Sequence, residues 1–177
     1  ISRAERRTLI NEIADTQTVT GLLQANRTMV SASATQETDV KDQKNAYLIV
    51  PTNTEEFPNF VSLRERKSKD AINLLNDGVI ITEKYAQLLD VEVNDMIYLK
   101  LDDSRVTPKE VKVLGITENY IFNYIYMTPN LYQALYGVEA DVNIMMIQTL
   151  NKITAEDMKV AFTGLNGANS VITNDDE

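Results

Sequence analysis

Segments with the character of β-strands outnumber helical segments in this sequence, and the two kinds occur in mixed order. Strict alternation of strands and helices would predict a doubly wound parallel sheet, and evenly spaced strands alone would predict a sandwich. Neither pattern is present, so the sequence predicts an α+β fold with mixed sheets, a few short helices and two small subdomains. Strands are predicted at residues 28–30, 47–50, 60–63, 79–81, 96–101, 111–116, 120–127, 142–147 and 170–172.

Residues that favour helix ends locate the helices between these strands. Thr128 can cap a first turn, and Pro129 fits the first helical position because its missing N–H costs least there. Gly137 then favours the end of the same helix. Capping-box spacing predicts two further helices at residues 3–14 and 154–162.

A short helix is also predicted to follow the strand at residues 79–81. Thr82 favours its start, and Tyr85, Leu88 and Leu89 are spaced so that they lie on one buried face. Asp90 is expected to end this helix.

Composition excludes most kinds of catalytic site. The chain has no histidine and no cysteine, which removes the usual zinc and copper ligands, thiol nucleophiles and a base that titrates near neutral pH. Gly164 and Gly167 lack the following lysine of a phosphate-binding loop. The sequence therefore predicts no enzyme, with no catalytic residue, no metal site and no bound cofactor; the remaining enzymatic alternative is a hydrolase that uses the carboxylates of Asp102 and Asp103.

Net charge and hydropathy limit the kinds of partner that the chain can have. The formal net charge of −9 opposes binding to nucleic acid, whose phosphates are contacted mainly by Lys and Arg. No run approaches the ~20 apolar residues of a membrane span, so no transmembrane segment is expected in this fragment. Because the sequence begins with Ile1, we expect it to be part of a longer protein.

The strongest candidate for a binding site is an aromatic pattern. Tyr120, Phe122, Tyr124 and Tyr126 alternate with other residues, so a strand would place all four on one face. One interpretation is a core in which these rings pack with tyrosines of the next helix. The other is a surface that contacts a peptide or lipid-like substrate, or a neighbouring domain.

Two charged groups offer weaker alternatives. A basic run at residues 64–69 could face an anionic head group, but a solvated turn is the simpler interpretation. Asp102 and Asp103 lack the spacing of a calcium-binding loop and are expected to be solvated turn residues. Residues 175–177 are acidic and are expected to be a solvated tail.

Residues 77–129 carry a resemblance to a known family. Residues 77–84 have the sequence DGVIITEK, residues 91–97 have VEVNDMI, and strands follow at residues 111–116 and 124–127. This order resembles the extracytoplasmic, MacB-type periplasmic core domain of FtsX-like ABC transporter permeases. Asp90 and Asn94 stand where that family prefers glycine, and these residue types best tolerate the left-handed conformation among non-glycine residues.

The resemblance implies a setting and a role. Residues 1–177 would form a single extracytoplasmic domain of a bacterial cell membrane protein, with a subdomain break at residues 31–45 or 51–60. Its partners would be the transmembrane helices of the same permease and a cytoplasmic ATP-binding subunit. The domain would couple ATP-driven conformational change to substrate handling or signalling outside the membrane. The alternative is a free-standing surface binding module that uses the aromatic strand face.

Overall fold

The computed structural model describes residues 19–36, 42–101, 107–119 and 121–149, together with a few isolated helical positions before residue 12. Two compact units divide the chain, one formed by Ile1–Leu22 and Met146–Glu177 and the other by Leu23–Met145. Residues 31–45 and 51–60 both belong to the second unit. The predicted turn at residues 102–104, the predicted helix at 154–162 and the predicted strand at 170–172 lie outside the described residues, as does most of the helix predicted at 3–14.

Strands and two short helices make up the described part of the chain, which confirms the predicted α+β class. In chain order they are β1 (Val19–Ser33), β2 (Lys44–Pro51), β3 (Val79–Thr82), α1 (Glu83–Leu89), β4 (Met96–Leu101), β5 (Lys109–Thr117), β6 (Tyr124–Tyr126), α2 (Pro129–Tyr136) and β7 (Ile144–Thr149).

Six of the strands close into a small barrel. The strand order is β2-β6-β3-β5-β4-β1-β7, and β1 also pairs with β2, which joins the two ends of the six-strand series. The long strand β1 makes this possible, because Ala25 to Ala32 pair with β2 while Val30 to Ser33 pair with β4. The sheet is mixed, since β2–β6 and β3–β5 are parallel and β1–β2, β1–β4, β3–β6 and β4–β5 are antiparallel.

The barrel interior is filled by every second residue of its strands. Helix α1 contacts β2, β3 and β5, which stand on different sides of the ring, so the helix covers one end of the barrel. Each fully buried aliphatic side chain contributes about 1.5 to 3 kcal/mol of transfer free energy, so this cluster is the main source of stability. Its strand members include Val30, Leu48, Val50, Val79, Ile81, Ile97, Leu99, Val111, Val113, Ile125 and Met127.

An irregular segment at residues 52–75 packs on the outside of the barrel. The ring of Phe57 lies 5.6 Å from the ring of Tyr126, and Ile72 lies against Gly115, where an added Cβ would come within 2.6 Å of it. The strand predicted at residues 60–63 is wrong: a single 3-10 turn, Phe57–Asn59, is followed by a turn at Phe60, a bend at Val61 and irregular backbone at residues 62–63. Alternation alone cannot make a strand, because a strand also needs a partner whose backbone groups it can pair with.

Helix α1 ends as predicted but buries a different face. Asp90 and Asn94 have φ values of 55° and 76°, which confirms that both tolerate the left-handed conformation. Tyr85, Ala86 and Leu89 face the barrel, whereas Leu88, predicted to be buried, is 47% exposed. The helix is so short that the angle at which it lies on the barrel, rather than apolar spacing alone, decides which side chains are covered.

Helix α2 and the segment after it return the chain to β1. Thr128 Oγ1 accepts a hydrogen bond from Leu131 N, and Gly137 has a φ of 72° at the helix end, so both predicted caps are confirmed. The Asn143 side chain then binds the backbone of Arg27 twice, accepting from its N–H at 2.7 Å and donating to its carbonyl at 2.8 Å. The Asn143 amide thus makes the pair of hydrogen bonds that a residue of a neighbouring strand would make. It holds the chain against β1 just before β7 begins.

Candidate functional site

The structure does not place the four residues of the aromatic pattern, Tyr120, Phe122, Tyr124 and Tyr126, in one strand; we call this series the aromatic ladder. Tyr124 and Tyr126 lie in β6 and are buried, while Phe122 lies in the irregular segment before this strand and is 45% exposed. Tyr120 lies outside the described residues. The strand is therefore shorter than the predicted 120–127, but the rings of Phe122 and Tyr124 stack at 5.4 Å and those of Tyr124 and Tyr126 meet edge to face at 6.0 Å.

The inner end of this ladder is part of the hydrophobic packing. Tyr126 contacts Phe57 of the outer segment, at 5.6 Å between ring centroids. Tyr132 and Tyr136 of α2, which the core interpretation paired with the ladder, contact each other at 4.8 Å instead. Buried Tyr126 and Tyr124 thus resemble core residues, and the surface interpretation is left with Phe122 and its neighbours.

Polar contacts hold the exposed end in place. Asn119 Oδ1 accepts hydrogen bonds from Ile121 N at 2.9 Å and Phe122 N at 3.1 Å, and Thr82 Oγ1 donates to Phe122 O at 2.8 Å. The Lys84 ammonium donates to Ile121 O at 3.3 Å. These bonds explain why the Thr82 hydroxyl does not cap α1. They present two large apolar side chains to solvent on a fixed backbone, with Ile121 69% exposed.

Three residues next to the ladder were not predicted from the sequence to be candidate site residues. Met29 of β1 lies opposite Tyr47 of β2, and Tyr47 lies beside Tyr124 of β6 in the parallel pairing. The Tyr47 and Tyr124 rings are 6.2 Å apart, and the Arg27 guanidinium carbon lies 4.0 Å from the centre of the Tyr47 ring. Because these contacts join residues distant in sequence, no local pattern could indicate them.

The basic run is largely neutralised. Arg64 and Lys69 both bind the Glu118 carboxylate, at 3.1 and 2.9 Å, and Arg66 pairs with Glu83 at 3.5 Å. Hydrogen bonding and charge from Lys69, and then from Arg64, hold the pKa of Glu118 below its ordinary value. Antiparallel bridging of Arg64 with Ala71 makes this segment an exposed hairpin, which agrees with the solvated turn predicted from the sequence. With three of its four cations in ion pairs, it is a weak candidate for binding anions.

Three of the described tyrosines have shifted pKa values. Burial raises the pKa of Tyr85, Tyr132 and Tyr136, and a raised pKa keeps a phenol protonated at neutral pH, where it cannot act as a base. Within the described ranges, no group of three or more Asp or Glu residues is arranged to hold a metal ion. None of the described helices is both long enough and apolar enough to cross a bilayer.

The fold is that of extracytoplasmic domains of ABC-type transporters. The extracellular domain of the noncanonic ABC-type transporter YknZ from Gram-positive bacteria matches 91% of this chain and 78% of its own, with a TM-score of 0.54 and 15% identity. The periplasmic region of MacB from Actinobacillus actinomycetemcomitans matches 92% of this chain and 77% of its own, with a TM-score of 0.52 and 8% identity. No protein-family model and no curated protein matches the sequence. These likenesses confirm the fold that the sequence resemblance implied.

Proposed function

We propose that this chain is the extracytoplasmic domain of a bacterial ABC transporter permease. It would carry out no bond chemistry and would couple ATP-driven conformational change to substrate handling or signalling outside the membrane. The observation that carries the proposal is the likeness to two transporter ectodomains over more than nine-tenths of the chain. Its partners would be the permease's own transmembrane helices, a cytoplasmic ATP-binding subunit and a peptide or lipid-like substrate, with no role for nucleic acid.

One observation on the chain itself agrees with this proposal. Six strands close into a barrel, since β1 pairs with both β2 and β4, and a closed, well-packed barrel can transmit a displacement without deforming.

The coupling predicts a change in the segment between α2 and β7. We would replace exposed Glu139 with cysteine in the full-length protein, attach a nitroxide spin label, and reconstitute the protein with its ATP-binding subunit in lipid nanodiscs. No native cysteine in these 177 residues would interfere. The electron paramagnetic resonance spectrum at Glu139→Cys is expected to differ between the nucleotide-free and the ATP-vanadate states, because this segment leads towards β7.

A label on the barrel wall serves as the control. Lys112→Cys lies on β5 and is expected to give the same spectrum in both states, because the wall moves as one body. Identical spectra at Glu139→Cys in the two states would contradict the proposed coupling. The alternative, a free-standing binding module that uses the aromatic face, predicts no response to ATP at either label.

A further inference from the structure

The outer surface of β1, β2 and β6 carries a continuous group of apolar and aromatic side chains, which we call the aromatic face. Met29, Tyr47 and Tyr124 lie in register across the three strands, and residues directly opposite in adjacent strands project from the same side of a sheet. Phe122 extends the group by stacking on Tyr124, and the Arg27 guanidinium lies over the Tyr47 ring.

Part of this face exposes apolar side chains to solvent. Met29 is 42% exposed and Phe122 is 45% exposed, while Tyr47 and Arg27 are partly exposed. The outer segment reaches Tyr126 through Phe57 and so covers the neighbouring part of the ladder. Exposed apolar surface that adjoins a covered, ordered row commonly indicates an interaction site.

Arg27 gives the face a chemical preference. Its guanidinium is held over the Tyr47 ring at 4.0 Å, and it forms no ion pair with any residue in the described part of the chain. The Arg27 backbone is fixed as well, because Asn143 binds both its N–H and its carbonyl. A planar, preoriented guanidinium of this kind suits bidentate binding of a carboxylate.

The face is also preorganised at its aromatic end. The backbone of Phe122 is fixed by hydrogen bonds from Phe122 N to Asn119 Oδ1 and from Thr82 Oγ1 to Phe122 O. Groups that are ordered before association lose less conformational entropy when they bind, so more of the contact energy appears as affinity.

We propose that the aromatic face is a docking site for a partner protein that presents an Asp or Glu side chain beside a large apolar one. The carboxylate would bind the Arg27 guanidinium, and the apolar side chain would cover Phe122. This inference does not depend on the transporter role, since it rests on the contacts of the barrel alone.

A protein surface fits this face better than a membrane does. Tyrosine, phenylalanine, methionine and arginine are the residues enriched at the centres of protein interfaces. Binding to anionic lipid relies on clusters of several Lys or Arg residues, whereas Arg27 is the single cation of the aromatic face.

A library of displayed random peptides tests the inference on the complete chain. We expect selection to enrich peptides that combine Asp or Glu with Leu, Phe or Trp. Their binding should weaken by about tenfold or more in Phe122→Ser and in Arg27→Gln, because centrally placed aromatic and arginine side chains dominate such interfaces. Arg27→Lys should be weaker than the unchanged chain, since a lysine cannot make the bidentate contact.

Matched variants on the opposite side of the barrel are the controls. Val93 is 46% exposed, close to Phe122, and precedes β4, while Lys112 is a cation on β5. Val93→Ser and Lys112→Gln should leave binding unchanged, and thermal unfolding would confirm that all variants stay folded. The inference is overturned if no such peptide is enriched, or if the test and control variants bind equally. Phe122-dependent binding to phosphatidylserine vesicles would overturn it in favour of a membrane.

Discussion

Replacing Tyr85 with alanine is expected to lower the free energy of unfolding by about 3 to 5 kcal/mol. The aromatic ring of Tyr85 is fully buried in the barrel interior, at the end of the barrel that α1 covers. Its hydroxyl donates a hydrogen bond to Lys44 O at 2.7 Å. The substitution removes both the ring and this bond, and the surrounding β-sheet cannot collapse to fill the space. Urea unfolding followed by circular dichroism measures the loss.

Tyr85→Phe separates the two contributions. It keeps the ring and loses only the bond to Lys44 O, so a decrease of about 1 kcal/mol is expected. Burial raises the pKa of the Tyr85 hydroxyl, so it stays protonated and able to donate throughout the neutral range. Equal losses for Tyr85→Phe and Tyr85→Ala would show that the hydrogen bond, and not the packing of α1 on the barrel, is the main contribution.

Replacing Tyr126 with alanine is expected to destabilise the chain by a similar amount, about 3 to 5 kcal/mol. Its ring is buried between Phe57 and Tyr124, so its loss uncouples the outer segment from β6. Phe122→Ala in the same aromatic series should change stability by only about 0.5 kcal/mol, because that ring is 45% exposed. The same denaturation experiment compares the two variants directly.

This pair of variants distinguishes the two interpretations of the aromatic ladder. A core role for Tyr126 requires that Tyr126→Ala loses stability and that Phe122→Ala does not. If Tyr126→Ala kept full stability, the packing of residues 52–75 on the barrel would have to be revised. If Phe122→Ala were as destabilising as Tyr126→Ala, the exposed aromatic face would be structural.

Local features of this fold could be predicted from the sequence because they depend on a few neighbouring residues. Thr128 and Gly137 set the ends of α2, and Asp90 and Asn94 adopt the left-handed conformation, through backbone geometry that each residue type carries with it. Gly78 illustrates a limit: an added Cβ would come within 2.4 Å of Lys112 O, a close approach that only the β3–β5 pairing creates.

Features that depend on distant contacts could not be predicted. Closure of the barrel requires β1 to be long enough to pair with both β2 and β4, and its sequence signal extended over only residues 28–30. The aromatic face likewise joins Arg27 and Tyr47 to Tyr124 through the register of three strands. Only the assembled sheet determines which of its aromatic residues are covered and which stay exposed.

The central claim, that this chain is the extracytoplasmic part of a membrane transporter, is tested most directly by labelling in intact cells. We would introduce Ser62→Cys, an exposed position on the outer segment, into the full-length protein and treat cells with a membrane-impermeant maleimide. Val50→Cys, buried in the barrel, is the control and should react only after denaturation. The account predicts equal labelling of Ser62→Cys in intact and lysed cells, and labelling only after lysis would contradict it.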